Sequence, residues 1–232
     1  MPRQIGMLAE KSLHAALKLH FAQPGDQIER ELDGFIIDIL RGGDRCIEIQ
    51  TRHLGSMKPK LTALLDKYPV RVIHPIAQER HVIRIDADGV IVSRRKSPKR
   101  GTVYHLFPEL VSLPKLIGHP NLSLEALLIR DEEVWIDDGK GSWRRKHWSI
   151  QDRRLLGIER SIVLTTLEDF AALLPAELPD PFDSGELAKA IHQQRPLAQK
   201  MAYCLRAIGV IQVTAKRGKA LLYSRVEMKT TL

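Results

Sequence analysis

Nine residues separate two carboxylates in "GFIIDILRGGDRCIEIQTR", residues 34 to 52: Asp38 lies in one short apolar run, Glu48 in the next, and Gln50 follows two positions on. An acid on a strand face is ordinarily turned to water. Two acids that share a face are a different case, because like charges held a few ångströms apart repel and are costly to bury unless a divalent cation neutralises them. Mg²⁺ is held through one or two carboxylates, with waters and phosphate oxygens completing its shell. A metal held in this way lowers the pKa of a bound water and stabilises charge on a phosphoryl group. Gln50 can orient that water but brings no positive charge. These residue types therefore point to hydrolysis of a phosphodiester assisted by Mg²⁺ or Mn²⁺.

That chemistry needs a hairpin to bring the acids together. Asp33-Gly34 is a strong turn dipeptide, and "GGD" at 42 to 44 turns the chain again, so 35–41 and 45–51 read as paired strands after a short strand at 27–32. Both runs alternate. Ile36 and Asp38 share one face of the first, and Cys46, Glu48 and Gln50 share one face of the second. A helix over 7–21 precedes them, carrying Leu8, Leu13, Ala16, Leu17 and Leu19 near helical spacing and ending at "QPGDQ". "SMKPKLTALLDKY" predicts a second helix, and "VRVIHPI" a buried strand. The order is α, β, β, β, α, β.

At these residues the chain resembles the PD-(D/E)XK nuclease superfamily, whose core has that αβββαβ order. Asp38 matches the first acid, and Glu48-Ile49-Gln50 stands in the place of the (D/E)XK tripeptide, over roughly residues 5 to 77. The resemblance implies a restriction-endonuclease-like α/β core in which Asp38 and Glu48 bind the metal. It also implies that Gln50 stands where lysine is usual, and that Glu10 assists from the first helix, as helix acids do in relatives that resolve branched DNA. No proline precedes Asp38, and glutamine replaces the lysine. Some restriction enzymes of the superfamily tolerate that glutamine, while many degenerate members have lost activity.

Charge narrows the class of partner. The formal net charge is +8 and the pI near 9.6, which favours a polyanion once the charge is located. From residue 184 onward nine basic residues (Lys189, Arg195, Lys200, Arg206, Lys216, Arg217, Lys219, Arg225, Lys229) face two acids, Glu186 and Glu227. Two further basic clusters, "RRKSPKR" at 94–100 and "RRKH" at 144–147, lie in the middle of the chain. No run of 18 apolar residues and no secretory h-region is present. A cytoplasmic protein with no membrane segment is expected, with Cys46 and Cys204 as reduced, buried thiols.

The middle of the chain is less explicit. "RHVIRIDADGVIVSRR" reads as a hairpin turning at Asp88-Gly89, leading into a basic loop that is either simply solvated or contacts phosphate. One clear strand lies at 123–130. Trp135, Trp143 and Trp148 flank basic residues and either anchor this segment or stack on bases.

The C-terminal third has its own pattern. A capping box is expected between Thr165 and Glu168, opening a helix that ends at Pro175. Two more helices, 183–193 and 196–208, precede a hairpin whose turn holds Lys216, Arg217, Gly218 and Lys219. This layout resembles a winged helix-turn-helix domain, giving a division into 1–160 and 161–232. The resemblance implies that the 196–208 helix enters the major groove with Arg195, Gln199, Lys200, Tyr203 and Arg206, while Lys216, Arg217 and Lys219 follow the phosphates. Many winged helices serve protein assembly instead. Two readings follow: a metal-dependent DNA endonuclease, with a homodimer expected if both strands are cut, or an inactive nuclease-like DNA-binding regulator or assembly subunit.

Overall fold

Two tight turns set the N-terminal half of the fold. Asp33 and Gly34 take φ of 49° and 81°, and Gly42 and Gly43 take 64° and 87°, the left-handed pairs that match the twist of a hairpin. In the computed structural model, which describes residues 12–86, 88–143 and 147–227, they join β1 (Gln27–Leu32), β2 (Phe35–Arg41) and β3 (Arg45–Ile49) into an antiparallel meander. α1 (Ser12–Phe21) precedes it, and α2 (Lys58–Leu64) follows after a 3-10 turn at Leu54–Met57, with Pro59 in its first turn. β4 (Val70–Ile85) then pairs parallel to β3. The order α, β, β, β, α, β is that of the sequence reading.

β4 is longer than its sequence pattern. "VRVIHPI" and the arm beginning at Arg80 read as separate strands, but one 16-residue strand runs through both, with a bulge between Ala77 and Glu79. Pro75 is tolerated because β3 has ended by Ile49↔Ile73, leaving β4 flanked by β6 alone at that point. β5 (Ile91–Lys96) returns antiparallel to the far end of β4. After α3 (Phe107–Leu110), β6 (Leu122–Ile136) pairs parallel to β4, and β7 (Ser149–Leu164) antiparallel to β6. Among the described residues these strands form one mixed sheet, ordered β1-β2-β3-β4-β6-β7 with β5 beside β4.

Each face of the sheet has its own core. Leu13 and Leu17, four residues apart on α1, pack on Ile39, Ile47, Ile49, Ile73, Leu127 and Ile129. The opposite face buries Leu40, Cys46, Val70, Val72 and Leu124 under Leu61, Leu64 and Phe107. That second core continues into the C-terminal segment. There α4 (Leu167–Ala171), α5 (Ser184–Ala190) and α6 (Arg195–Ala207) lead into β8 (Ile211–Arg217) and β9 (Ala220–Arg225), and Phe182 bridges to Tyr223. Leu187, Met201, Ala202 and Leu205 belong to the same apolar cluster as the sheet. Residues 161–164 complete β7, so they go with the sheet and not with the segment that follows.

Two smaller points differ from or match the sequence pattern. The helix cap expected at Thr165 and Glu168 sits one residue on: Asp169 accepts from the Thr165 and Thr166 amides, both at 2.8 Å, and Thr166 caps α4. Cys46 and Cys204 are free and buried, and burial pushes their thiols up to about 11 and about 12. Among the described residues, no helix is long and apolar enough to cross a membrane.

Candidate active site

Asp38 stands where the alternation of β2 breaks. Ile37 and Leu40 both join the α2-side core while Ile39 joins the α1-side core, and Glu29, which the β1–β2 register sets opposite Asp38, has φ of 51°. The β2–β3 ladder ends at Ile39↔Ile47. One position further Asp38 meets Glu48, and there the Asp38 carboxylate takes over from the ladder, its Oδ2 accepting from the Ile49 amide at 2.8 Å. The strands fork at this pair of acids.

Each acid has a partner from a different helix. His14 of α1 places Nε2 3.2 Å from Asp38 Oδ2, and Lys60 of α2 places Nζ 2.6 Å from Glu48 Oε1. Lys60 also donates to the Ile36 carbonyl, at 2.5 Å. The two carboxyls diverge in affinity for protons. Burial would raise Asp38, but the His14 and Ile49 hydrogen bonds and the nearby positive charges outweigh it and hold the group below its usual range. Glu48 is pushed up to about 7 by burial, and the Asp38 charge adds to that, with Lys60 opposing both.

The fork suits a hard cation in charge and in donor type. Glu48 Oε1 is buried, and Lys60 Nζ stands 2.6 Å from it as its charge partner. A buried carboxylate oxygen with an open lone pair beside a second, ionised carboxylate is a donor set for Mg²⁺ or Mn²⁺, with water and phosphate oxygens supplying the rest. Among the described residues, no group of three or more His, Cys, Asp and Glu side chains converges at metal spacing. Glu10 lies outside the described residues.

Gln50 is turned away from the acids. Its amide nitrogen donates to the Arg52 carbonyl and reaches toward the His53 carbonyl and the Ser56 hydroxyl, closing the loop between β3 and α2. Its main-chain carbonyl lies 2.7 Å from His74 Nδ1. Burial lowers the His74 pKa, so this imidazole is a neutral donor that fixes the loop. Gln50 and His53 line a cleft of about 500 Å³ with Leu13, Arg52 and Arg153, and neither Asp38 nor Glu48 lines it.

Sequence reasoning missed His14 and Lys60. His14 is one residue in a charged helix, but the α1 face that buries Leu13 and Leu17 also sets it over β2. Lys60 precedes the buried Leu61 in "KPKL", and only the parallel placement of β4 brings α2 back over β3. Neither has a local signature.

A second charged surface lies on the C-terminal segment. Ala198, Met201, Ala202, Cys204 and Leu205 are buried, which leaves Arg195, Gln199, Lys200, Tyr203 and Arg206 exposed along one side of α6. Two of the expected contacts are engaged within the chain. Arg195 donates to Ser184 Oγ at 3.2 Å, and Arg217 pairs with Asp183 at 2.7 Å and Glu186 at 3.0 Å. The Arg217 guanidinium and the α5 amides hold the Asp183 carboxyl down at about 2. Lys200, Arg206, Lys216 and Lys219 form no ion pair with a described residue.

Comparison with known proteins gives a family. A family model described as "Domain of unknown function (DUF8091)" matches residues 11–165, ending one residue past β7. A Treponema pallidum (strain Nichols) protein described as uncharacterized is 33% identical over 224 residues, covering 95% of this chain and 87% of that protein. That alignment extends well beyond the family match, into the C-terminal segment. No solved structure matches the chain.

Proposed function

The chain belongs to the DUF8091 family, and we propose that it is a divalent-metal-dependent DNA endonuclease, with a restriction-endonuclease-like core of the PD-(D/E)XK type followed by a winged helix. The observation that carries this reading is the fork: two carboxylates from adjacent antiparallel strands, one ionised and one poised near neutrality, with an ammonium group beside them. The antiparallel meander followed by a helix and a parallel strand supports it.

Asp38 and Glu48 would hold Mg²⁺ or Mn²⁺, which when bound supplies an acidified water and charge stabilisation on the phosphoryl oxygens. His14 keeps Asp38 ionised and oriented. Lys60 brings from α2 the positive charge that Gln50 lacks, close enough to answer the charge on a phosphodiester. The exposed cations of α6 and of the β8–β9 turn would hold duplex or branched DNA by its phosphates.

One observation favours a second reading, an inactive nuclease-like DNA-binding regulator or assembly subunit. Lys60 already neutralises Glu48 at 2.6 Å, so the fork is partly balanced without a metal. A cleavage assay on linear, single-stranded and branched DNA with Mg²⁺ or Mn²⁺, run beside Asp38→Ala and Glu48→Ala, separates the two. Metal-dependent cutting that both substitutions remove supports the nuclease; binding without cutting on every substrate supports the regulator.

A further inference from the structure

The far half of the sheet carries a pocket that the fork does not use. Beyond Ala77, β4, β5, β6 and β7 continue, and the loop 97–101 folds back on them. It is pinned at both ends, by the Ser97 amide on the Arg80 carbonyl and the Gly101 amide on the Ala77 carbonyl, each at 2.8 Å. Gly101 lies so close to β4 that a Cβ there would meet the Ala77 oxygen at 2.5 Å. The loop is held in place as a wall. Between it and the sheet is a cavity of about 670 Å³, the size range of small-molecule sites.

Its lining is divided. Ile76, Val82 and Trp135 make an apolar, partly aromatic floor, while Arg95 and Lys99 enter from the strand and the loop. Arg80 also lines it, but Asp131 and Glu133 already neutralise that guanidinium, and Arg100 is 3.3 Å from Glu79. Arg95 and Lys99 have no ion pair with a described residue. His105 takes the Thr102 amide on Nδ1, which leaves Nε2 as its donor. An apolar floor with one aromatic ring, beside two cations that have no ion pair with a described residue and a neutral donor, fits an aromatic ring attached to a phosphate.

One residue of the lining shares a strand face with the neighbour of Glu48. Glu48 pairs with Val72, and Val72, His74 and Ile76 share one face of β4, with Ile76 in the pocket. The separation along the strand from Val72 to Ala77 and Arg80 is roughly 20 Å.

We propose that this pocket binds one unpaired nucleotide of a nucleic-acid single strand, its base on the Ile76–Val82–Trp135 floor and its phosphate on Arg95 and Lys99. The inference rests on the reading of DNA as the substrate and names its class: DNA with an unpaired strand.

The test is a competition between a short labelled oligothymidylate and an abasic deoxyribose-phosphate oligomer of equal length, on the full chain without metal. The oligothymidylate should bind at least about tenfold tighter, since each stacked base contributes on that order. The double substitution Arg95→Ala and Lys99→Ala, at two exposed positions, should weaken oligothymidylate binding about tenfold and lower its salt slope by one to two units. Equal binding of the two oligomers by the wild type overturns the proposal, as does unchanged affinity and slope in the double variant. The preference must survive Asp38→Ala. If it persists in a protein that never cuts DNA, the nuclease reading fails and the pocket stands. If a protein that does cut shows no preference, the pocket alone is refuted.

Discussion

The acid fork and the α6 face both concentrate charge, and they do so in opposite ways. At the fork Glu48 is buried and Asp38 half-buried, and both are answered within the chain, Asp38 by His14 and Glu48 by Lys60. On α6 they are exposed, and Lys200 and Arg206 are answered by no described residue. Buried charge carries a desolvation cost and shifts pKa values, which is the arrangement of sites that do chemistry. Exposed, unpaired charge costs the fold little and acts over a distance on a partner of opposite sign. Under the proposed function, bond breaking falls to the first region and DNA capture to the second.

Four variants test that division. The largest effect is expected at Glu48. Its folded-state value of about 7 lies above the ordinary 4.5, so between those values the folded chain keeps a proton that the unfolded chain has lost. Wild-type stability should therefore fall as pH rises from 4.5 to 7, and Glu48→Gln should escape that loss. By pH 8 the variant should have gained up to about 3 kcal/mol relative to wild type, read from urea melts across pH. Parallel stability curves would mean that Glu48 is not held near neutrality.

Next is α6. Lys200→Glu with Arg206→Glu should weaken duplex binding by about ten- to a hundredfold and flatten the salt dependence by about two units of slope, while leaving cleavage at saturating protein unchanged. Unaltered affinity would move the DNA face elsewhere. A smaller effect is expected from Lys60→Met, which removes the nearest positive charge from Glu48. The pH at which cleavage becomes half-maximal should rise by about one unit, an effect of about 1.4 kcal/mol; an unshifted profile would exclude Lys60 from the site. The smallest concerns a cap. Asp183→Ala removes the N-cap of α5 and its tie to Arg217, and should lower the melting stability by about 1 kcal/mol with no change in cleavage at saturating DNA.

The same contrast governs what could be read from the residues alone. The α6 face was legible because a single helical period sorts its residues: buried Met201 and Leu205 imply exposed Lys200 and Arg206. The two acids were legible as a pair because the turns at Asp33-Gly34 and Gly42-Gly43 leave one register. Their surroundings were not. The break in alternation at Asp38, which places Ile37 and Ile39 in different cores, is a tertiary effect of both faces being buried. Gln50 looked like a site residue because it shares a face with Glu48 on paper, but β3 ends at Ile49 and the loop beyond it takes the amide. The length of β4 was hidden by Pro75, which marks a strand end in most settings and here sits where β4 has lost one neighbour.

The most direct test of the account is single-turnover cleavage of labelled DNA by wild type and Asp38→Asn at saturating protein, with affinity measured on the same samples. The account predicts metal-dependent cutting by wild type and a loss of at least about 10²–10³-fold in the variant at equal affinity. Cutting at the same rate by both proteins would contradict it.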